Sequence, residues 1–219
     1  MHTQRPWFTH AMYLPLFPLS IVVYPDEQLN LHIFELRYRQ LIAECVQEDR
    51  PFGIPTFLND RLPGYGTEMT ETDVAARYAD GTLDIRTTGH RVFRIVDFEN
   101  PAPGKLYAHG VVKYYPEPQE KPAVSEELLE AVAELYRILN QPVNYTPDPS
   151  THFSYQVAHK VGLSLEAEYK LLSLETETMR QAYLLDHLHR LLPVAQNLER
   201  TKERIRMNGD FRKFGPLNL

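Results

Sequence analysis

The chain is 219 residues long, with 43% hydrophobic and 24% charged residues and a formal net charge of −6. That is the composition of a soluble globular protein of one large or two small domains, and it excludes disordered and collagen-like classes. Cut at residue 118, the first part has 11 Lys+Arg against 15 Asp+Glu and the second 12 against 14. Neither part carries the basic excess that binding a phosphate backbone needs. A single cysteine, Cys45, rules out an intrachain disulfide. The N-terminus lacks a signal-peptide pattern, and no run of about 18 apolar residues is present. A cytoplasmic protein without a membrane segment is expected.

From Tyr13 to Tyr115 the pattern is mainly that of strands. A helix interrupts it, since Tyr38, Leu41, Ile42 and Cys45 fall at i, i+3, i+4 and i+7 and Pro51 follows. The pair Asp80-Gly81 predicts a tight hairpin between Val74–Tyr78 and Leu83–Thr87. Gly89 predicts a bulge or turn before a further strand, Val92–Phe98. A last, long strand is expected from Lys105 to Tyr115. Several strands with short turns and one inserted helix predict a small closed or nearly closed barrel.

Three prolines within Pro116–Pro122 forbid helix and central strand alike. They place a boundary there, with subdomains at 1–118 and 119–219. Helices follow. Ser125 is the expected N-cap of one with its apolar stripe at Leu128, Val132, Leu135 and Leu139. A proline-containing loop runs from Pro142 to Pro149. A short helix near Thr151–Val161 ends at Gly162, and Ser164 caps the next. A long helix runs from about Thr176 toward Met207, with Leu184, Leu188, Leu191, Ala195 and Leu198 on its buried face. Pro193 is expected to kink or split it, because it removes a backbone donor.

Leu14-Pro15-Leu16-Phe17-Pro18-Leu19-Ser20, continued by Leu31-His32-Ile33-Phe34-Glu35-Leu36-Arg37-Tyr38-Arg39, closely resembles the opening of the Lon N-terminal domain. That domain is the substrate-recognition module at the front of ATP-dependent Lon proteases. Asp80–Ile85 with Gly89–Ile95 resembles the central hairpin of the family, and Leu106–Val112 its next strand. The resemblance implies an α+β fold: a PUA-like small β-barrel with an inserted helix, followed by a C-terminal helical bundle ending in a long helix. It also implies a non-catalytic module that binds unfolded or extended polypeptide, with a protease or chaperone as partner. The ATPase and protease parts of Lon have no counterpart. The one Gly-Lys pair, Gly104-Lys105, is followed by Leu106, and Glu99 stands where the first phosphate-loop glycine would be. A free-standing recognition module is therefore expected.

Other chemistries fit less well. His187 and His189 are two apart on a helix and point in different directions, and His152 and His159 are two turns apart. No metal and no cofactor is expected. Cys45 sits on an apolar stripe, as a buried structural thiol does. Glu35, Arg37 and Arg39 suggest a charge network at a helix start. An RNA-associated role is the alternative reading, resting on Tyr65, Tyr107, Tyr114 and Tyr115. The basic stretch Arg200, Lys202, Arg204, Arg206, Arg212 and Lys213, against Glu199, Glu203 and Asp210, adds to it. The acidic balance argues against nucleic acid. For polypeptide binding the candidates are Phe57, Leu58 and Tyr65 in one long loop, with Trp7, Phe211 and Phe214 near the ends; a groove between barrel and bundle would hold the chain. The sequence leaves the oligomeric state undefined.

Overall fold

The computed structural model describes residues 12–115, 123–142 and 151–210. They form two compact units, one of residues 12–115 and 164–176, the other of 123–142, 151–163 and 177–210. Trp7, Phe211, Phe214, the Pro116–Pro122 boundary and most of the Pro142–Pro149 loop lie outside the described residues.

The first unit holds six strands: β1 (Met12–Leu16), β2 (Gln28–Ile33), β3 (Phe52–Pro55), β4 (Tyr65–Arg77), β5 (Leu83–Glu99) and β6 (Ala108–Tyr114). Helix α1 (Leu36–Gln47) lies between β2 and β3 in the chain. The strand order is β2-β5-β4-β3-β1-β6, and β6 pairs again with β5, so five strands close on themselves and β2 lies outside the closure. This closure is possible because β5 is 17 residues long. Its first half pairs with β2 (Gln28↔Thr88 through Ile33↔Leu83) and its second half with β6 (Phe93↔Tyr114 through Glu99↔His109). Strand β1 joins β3 in parallel, through Leu16↔Gly53 and the isolated bridge Leu19↔Thr56.

Local sequence accounts for much of this unit. The Asp80-Gly81 turn forms where expected, with Gly81 at φ 82° and the Tyr78 N–H on the Thr82 carbonyl at 2.9 Å. Helix α1 buries the four residues its spacing predicts and ends where Asp49 takes φ 48°, two residues before Pro51. Gly89 is a different case. Of the expected bulge or turn, a bulge forms: the β4–β5 register shifts between Thr67↔Val92 and Met69↔Gly89, and β5 runs through it as one strand. A Cβ at Gly89 would stand 2.2 Å from the Tyr24 carbonyl oxygen. Glycine is needed because the segment before β2 crosses β5 at backbone contact, with the Gly89 N–H donating to Glu27 and its carbonyl accepting from Asp26, both at 2.8 Å. The last strand begins at Ala108 rather than near Lys105, because Ala102 and Tyr107 close a loop (2.8 Å) over Lys105.

The unit has two apolar cores. Ile33, Leu41, Ile42, Phe52, Ile54, Met69 and Ile85 centre the larger, in which Phe17 stacks on Tyr38 at 3.8 Å. Leu14, Leu16, Phe93 and Val112 make the smaller. Beside it Glu68, 2% exposed, accepts from Arg91 Nε and Nη2 at 3.1 and 3.0 Å and from the Tyr114 hydroxyl. A buried carboxylate is tolerated there because each oxygen has a donor. Helix α4 (Leu165–Leu172), capped by Ser164 as expected, also belongs to this unit.

The second unit is helical: α2 (Glu126–Ile138), α3 (Phe153–Ala158) and α5 (Glu177–Asp210). Ser125 caps α2, its Oγ accepting from the Leu128 N–H. Leu128, Val132 and Leu135 are buried, but Leu139 is 51% exposed, because the helix has ended at Ile138 and Leu139 is its C-cap. Gly162 takes φ 75° at the link after α3. Helix α5 runs through Pro193 unsplit. Leu184 and Leu188 are buried, as expected, whereas Leu198 is 58% exposed. Helix α2 packs on the opposite face of α5, so the apolar spacing at Leu198 meets solvent.

Candidate functional site

The loop residues singled out from sequence have structural partners. Phe57 and Leu58 are half-buried. The Phe57 N–H donates to the Leu19 carbonyl at 2.7 Å, and Leu58 closes a tight turn with Arg61. Tyr65 opens β4, and its ring lies 5.8 Å from Tyr115 and 6.0 Å from Tyr169. The Tyr65 N–H donates to the Tyr169 hydroxyl at 3.2 Å, and the Tyr115 hydroxyl donates to the Ser173 carbonyl at 2.7 Å. These three half-buried tyrosines fasten α4 to the sheet. Burial raises the Tyr169 pKa above its ordinary value. Most of their aromatic area is covered within the fold.

Glu35, Arg37 and Arg39 do form local charge contacts. Arg37 Nε donates to Glu35 at 2.8 Å, and Arg39 reaches the Asp80 carbonyl at 3.4 Å, tying α1 to the β4–β5 turn. Cys45 is buried, and burial pushes its thiol pKa up to about 11. In the second unit Ser154, Glu177, Arg180 and His152 converge. The Ser154 hydroxyl donates to Glu177 at 2.6 Å, Arg180 Nε donates to Ser154 at 3.0 Å, and His152 lies 3.7 Å from Glu177. Ser154 is 0% exposed and Glu177 3%. No substrate can reach that hydroxyl, and the cluster pins α3 to the start of α5. Among the described residues no group of three His, Cys, Asp or Glu could hold a metal, and no helix is long and apolar enough to cross a membrane.

The accessible apolar surface of the strand unit lies elsewhere. Phe34 (64% exposed) and Leu36 (68%) follow β2, and Tyr78 (48%) stands at the β4–β5 turn. Between them the His32 ring lies 6.3 Å from Phe34 and 5.9 Å from Tyr78. Asp84 organises the group, since its Oδ1 meets His32 Nδ1 at 2.7 Å and its Oδ2 accepts from the Tyr78 hydroxyl at 2.6 Å. Those two bonds, Tyr78 first, lower the Asp84 pKa, and the same contact raises that of Tyr78. The cluster flanks β2, whose second edge pairs with no strand among the described residues. Strand edges are ordinarily protected by lysine, proline or a bulge. Gln28-Leu29-Asn30-Leu31-His32-Ile33 has none of these, and its pairing to β5 is unbroken. A half-open depression of about 310 Å³, lined by Asn30, His32, Ala75, Asp84 and Arg86, adjoins it. Sequence reasoning passed over Phe34 and Leu36 because both lie within the segment that carries the family resemblance.

The whole arrangement matches a known family. Residues 13–190 fit the model of the ATP-dependent protease La (LON) substrate-binding domain. The chain belongs to this family. A solved Lon N-terminal domain protein from Xanthomonas campestris is similar over 80% of this chain and 98% of that one, at 28% identity and TM-score 0.64. The N-terminal domain of the Mycobacterium avium complex Lon protease shares the fold over 81% of this chain and 98% of that one, at 19% identity and TM-score 0.62. A LON peptidase N-terminal domain and RING finger protein of Schizosaccharomyces pombe is 30% identical over 125 residues, which cover 48% of this chain and 25% of that protein. The chain thus spans about a quarter of the length of that curated relative. The Lon substrate-binding domain is the coarse identity of the strand unit and of the helices as far as residue 190.

Proposed function

We propose that this protein is a non-catalytic module that binds unfolded or extended polypeptide and acts as an adaptor to ATP-dependent proteolysis. The observation that carries the reading is the open edge of β2 beside exposed Phe34, Leu36 and Tyr78. An extended segment adds to such an edge through main-chain bonds, which are indifferent to sequence, while the adjoining apolar groups select hydrophobic side chains. A substrate-binding domain that must accept many unfolded chains needs that combination. Aromatic residues suggested for RNA are committed to the fold: Tyr65 and Tyr115 hold α4, and Tyr107 and Tyr114 bond to Glu44 and Glu68.

The test is hydrogen exchange of the whole chain with and without a saturating unfolded polypeptide, such as a reduced and alkylated secretory protein. Added protection is expected across residues 28–34. Saturated binding with protection confined to other elements would relocate the site. No detectable binding at high micromolar concentration would remove the function.

A further inference from the structure

We infer that the C-terminal half of α5 is a coiled-coil docking seam for an acidic amphipathic helix of a partner protein. Leu191, Val194, Leu198, Thr201 and Ile205 recur at alternating intervals of three and four, which at 3.6 residues per turn confines them to an arc of about 80°. Val194, Leu198 and Ile205 are 54%, 58% and 67% exposed. The seam continues from the packed part of the helix, since Leu191 is half-buried beside Gly162. The face of α5 turned toward α2 is the polar one: Gln196 donates to Glu134 at 3.1 Å, and Glu199 and Glu203 line a depression with Arg137 and Asn140. The helix therefore presents its apolar side outward, where the described residues offer it no partner.

Charge identifies the occupant. The positions bordering the seam carry Arg190, Lys202 and Arg204 and no acid; Glu199 and Glu203 lie farther round the helix, Glu199 on the same line as Arg206. Arg190 is engaged by Asp186 at 2.6 Å and Lys202 by Glu199 at 3.2 Å, but Arg204 pairs with no described residue. In coiled coils such flanking charges set partner choice. A second copy of α5 offers these cations no acid at the bordering positions; an acid-flanked helix would neutralise them. The apolar stripe is a narrow strip of Val, Leu and Ile without the aromatic residues and broad face of a helix lying in a membrane surface.

The experiment uses the full chain and two labelled four-heptad peptides, both with Leu at the seam positions, one flanked by Glu and the other by Lys. Fluorescence anisotropy is expected to show micromolar binding of the acidic peptide only. The Leu198→Lys/Ile205→Lys variant, altered where side chains are exposed and therefore expected to keep its melting temperature, should weaken that binding at least about tenfold. The Lys202→Glu/Arg204→Glu variant should reverse the preference toward the basic peptide. Equal binding of both peptides, or affinity untouched by either variant, overturns the proposal. So does self-association by sedimentation equilibrium that Leu198→Lys abolishes, which would assign the seam to a second copy. Binding to phosphatidylserine vesicles without binding to the acidic peptide would assign it to a lipid surface instead.

Discussion

Replacing Phe34 by alanine separates binding from folding. The ring is 64% exposed, so of the roughly 200 Å² of a phenylalanine side chain about 130 Å² is free to be covered by a ligand. Complete coverage would contribute at most about 3 kcal/mol at ~25 cal/mol per Å². A strand lying along β2 covers one side of the ring, or about half of that area. The loss is then ~1.5 kcal/mol, about tenfold in Kd. Folding stability should fall by at most about 2 kcal/mol, because about 70 Å² of the side chain is already covered in the free protein, so affinities are compared where both proteins are fully folded. Anisotropy titration with an unfolded polypeptide and a urea melt of the same samples measure the two effects. Val96→Ala is the control, since Val96 is also exposed (55%) but lies in the part of β5 that pairs with β6. The reasoning is refuted if Phe34→Ala binds within about twofold of wild type, or if Val96→Ala weakens binding equally.

Three further outcomes follow from the packing. Tyr65→Ala removes the ring between Tyr115 and Tyr169 and should cost about 2 kcal/mol. Amide exchange across Leu165–Leu172 should accelerate while polypeptide affinity stays within about twofold; lost affinity with unaltered exchange would return Tyr65 to the binding surface. Gly89→Ala places a methyl group against the Tyr24 carbonyl, which the backbone crossing cannot yield to, and should lower stability by ~1–3 kcal/mol in urea. A change under about 0.5 kcal/mol would contradict the close approach. Cys45, with its thiol pKa pushed up to about 11 by burial, should react with a disulfide reagent at the rate of unfolding at pH 8. The folded pKa lies above the unfolded one, so this stabilisation is complete below about pH 8.5 and is lost as pH rises toward 11. The shift corresponds to roughly 3 kcal/mol, seen as a steeper alkaline loss of stability than in Cys45→Ala. A thiol that reacts freely in the native protein would show the opposite.

Features decided within a few residues were legible in the sequence. The buried stripe of α1, the Asp80-Gly81 turn, and the Ser125 and Ser164 caps each depend on neighbours in the chain, and each formed as expected. The family was legible for a related reason, because its motifs are contiguous. What long-range pairing decides was not legible. Gly89 predicts a bulge or a turn alike; that it is a bulge inside one 17-residue strand, at a backbone crossing, depends on a partner segment that local sequence does not name. Tyr65 is bound to Tyr169 across more than a hundred residues, a separation that no local pattern encodes. On α5 the periodicity of Leu188 and Leu198 is alike, yet one is buried and the other exposed. Spacing determines which side chains share a face; only the placement of the other elements determines whether that face is covered, and burial free energy depends on the covering.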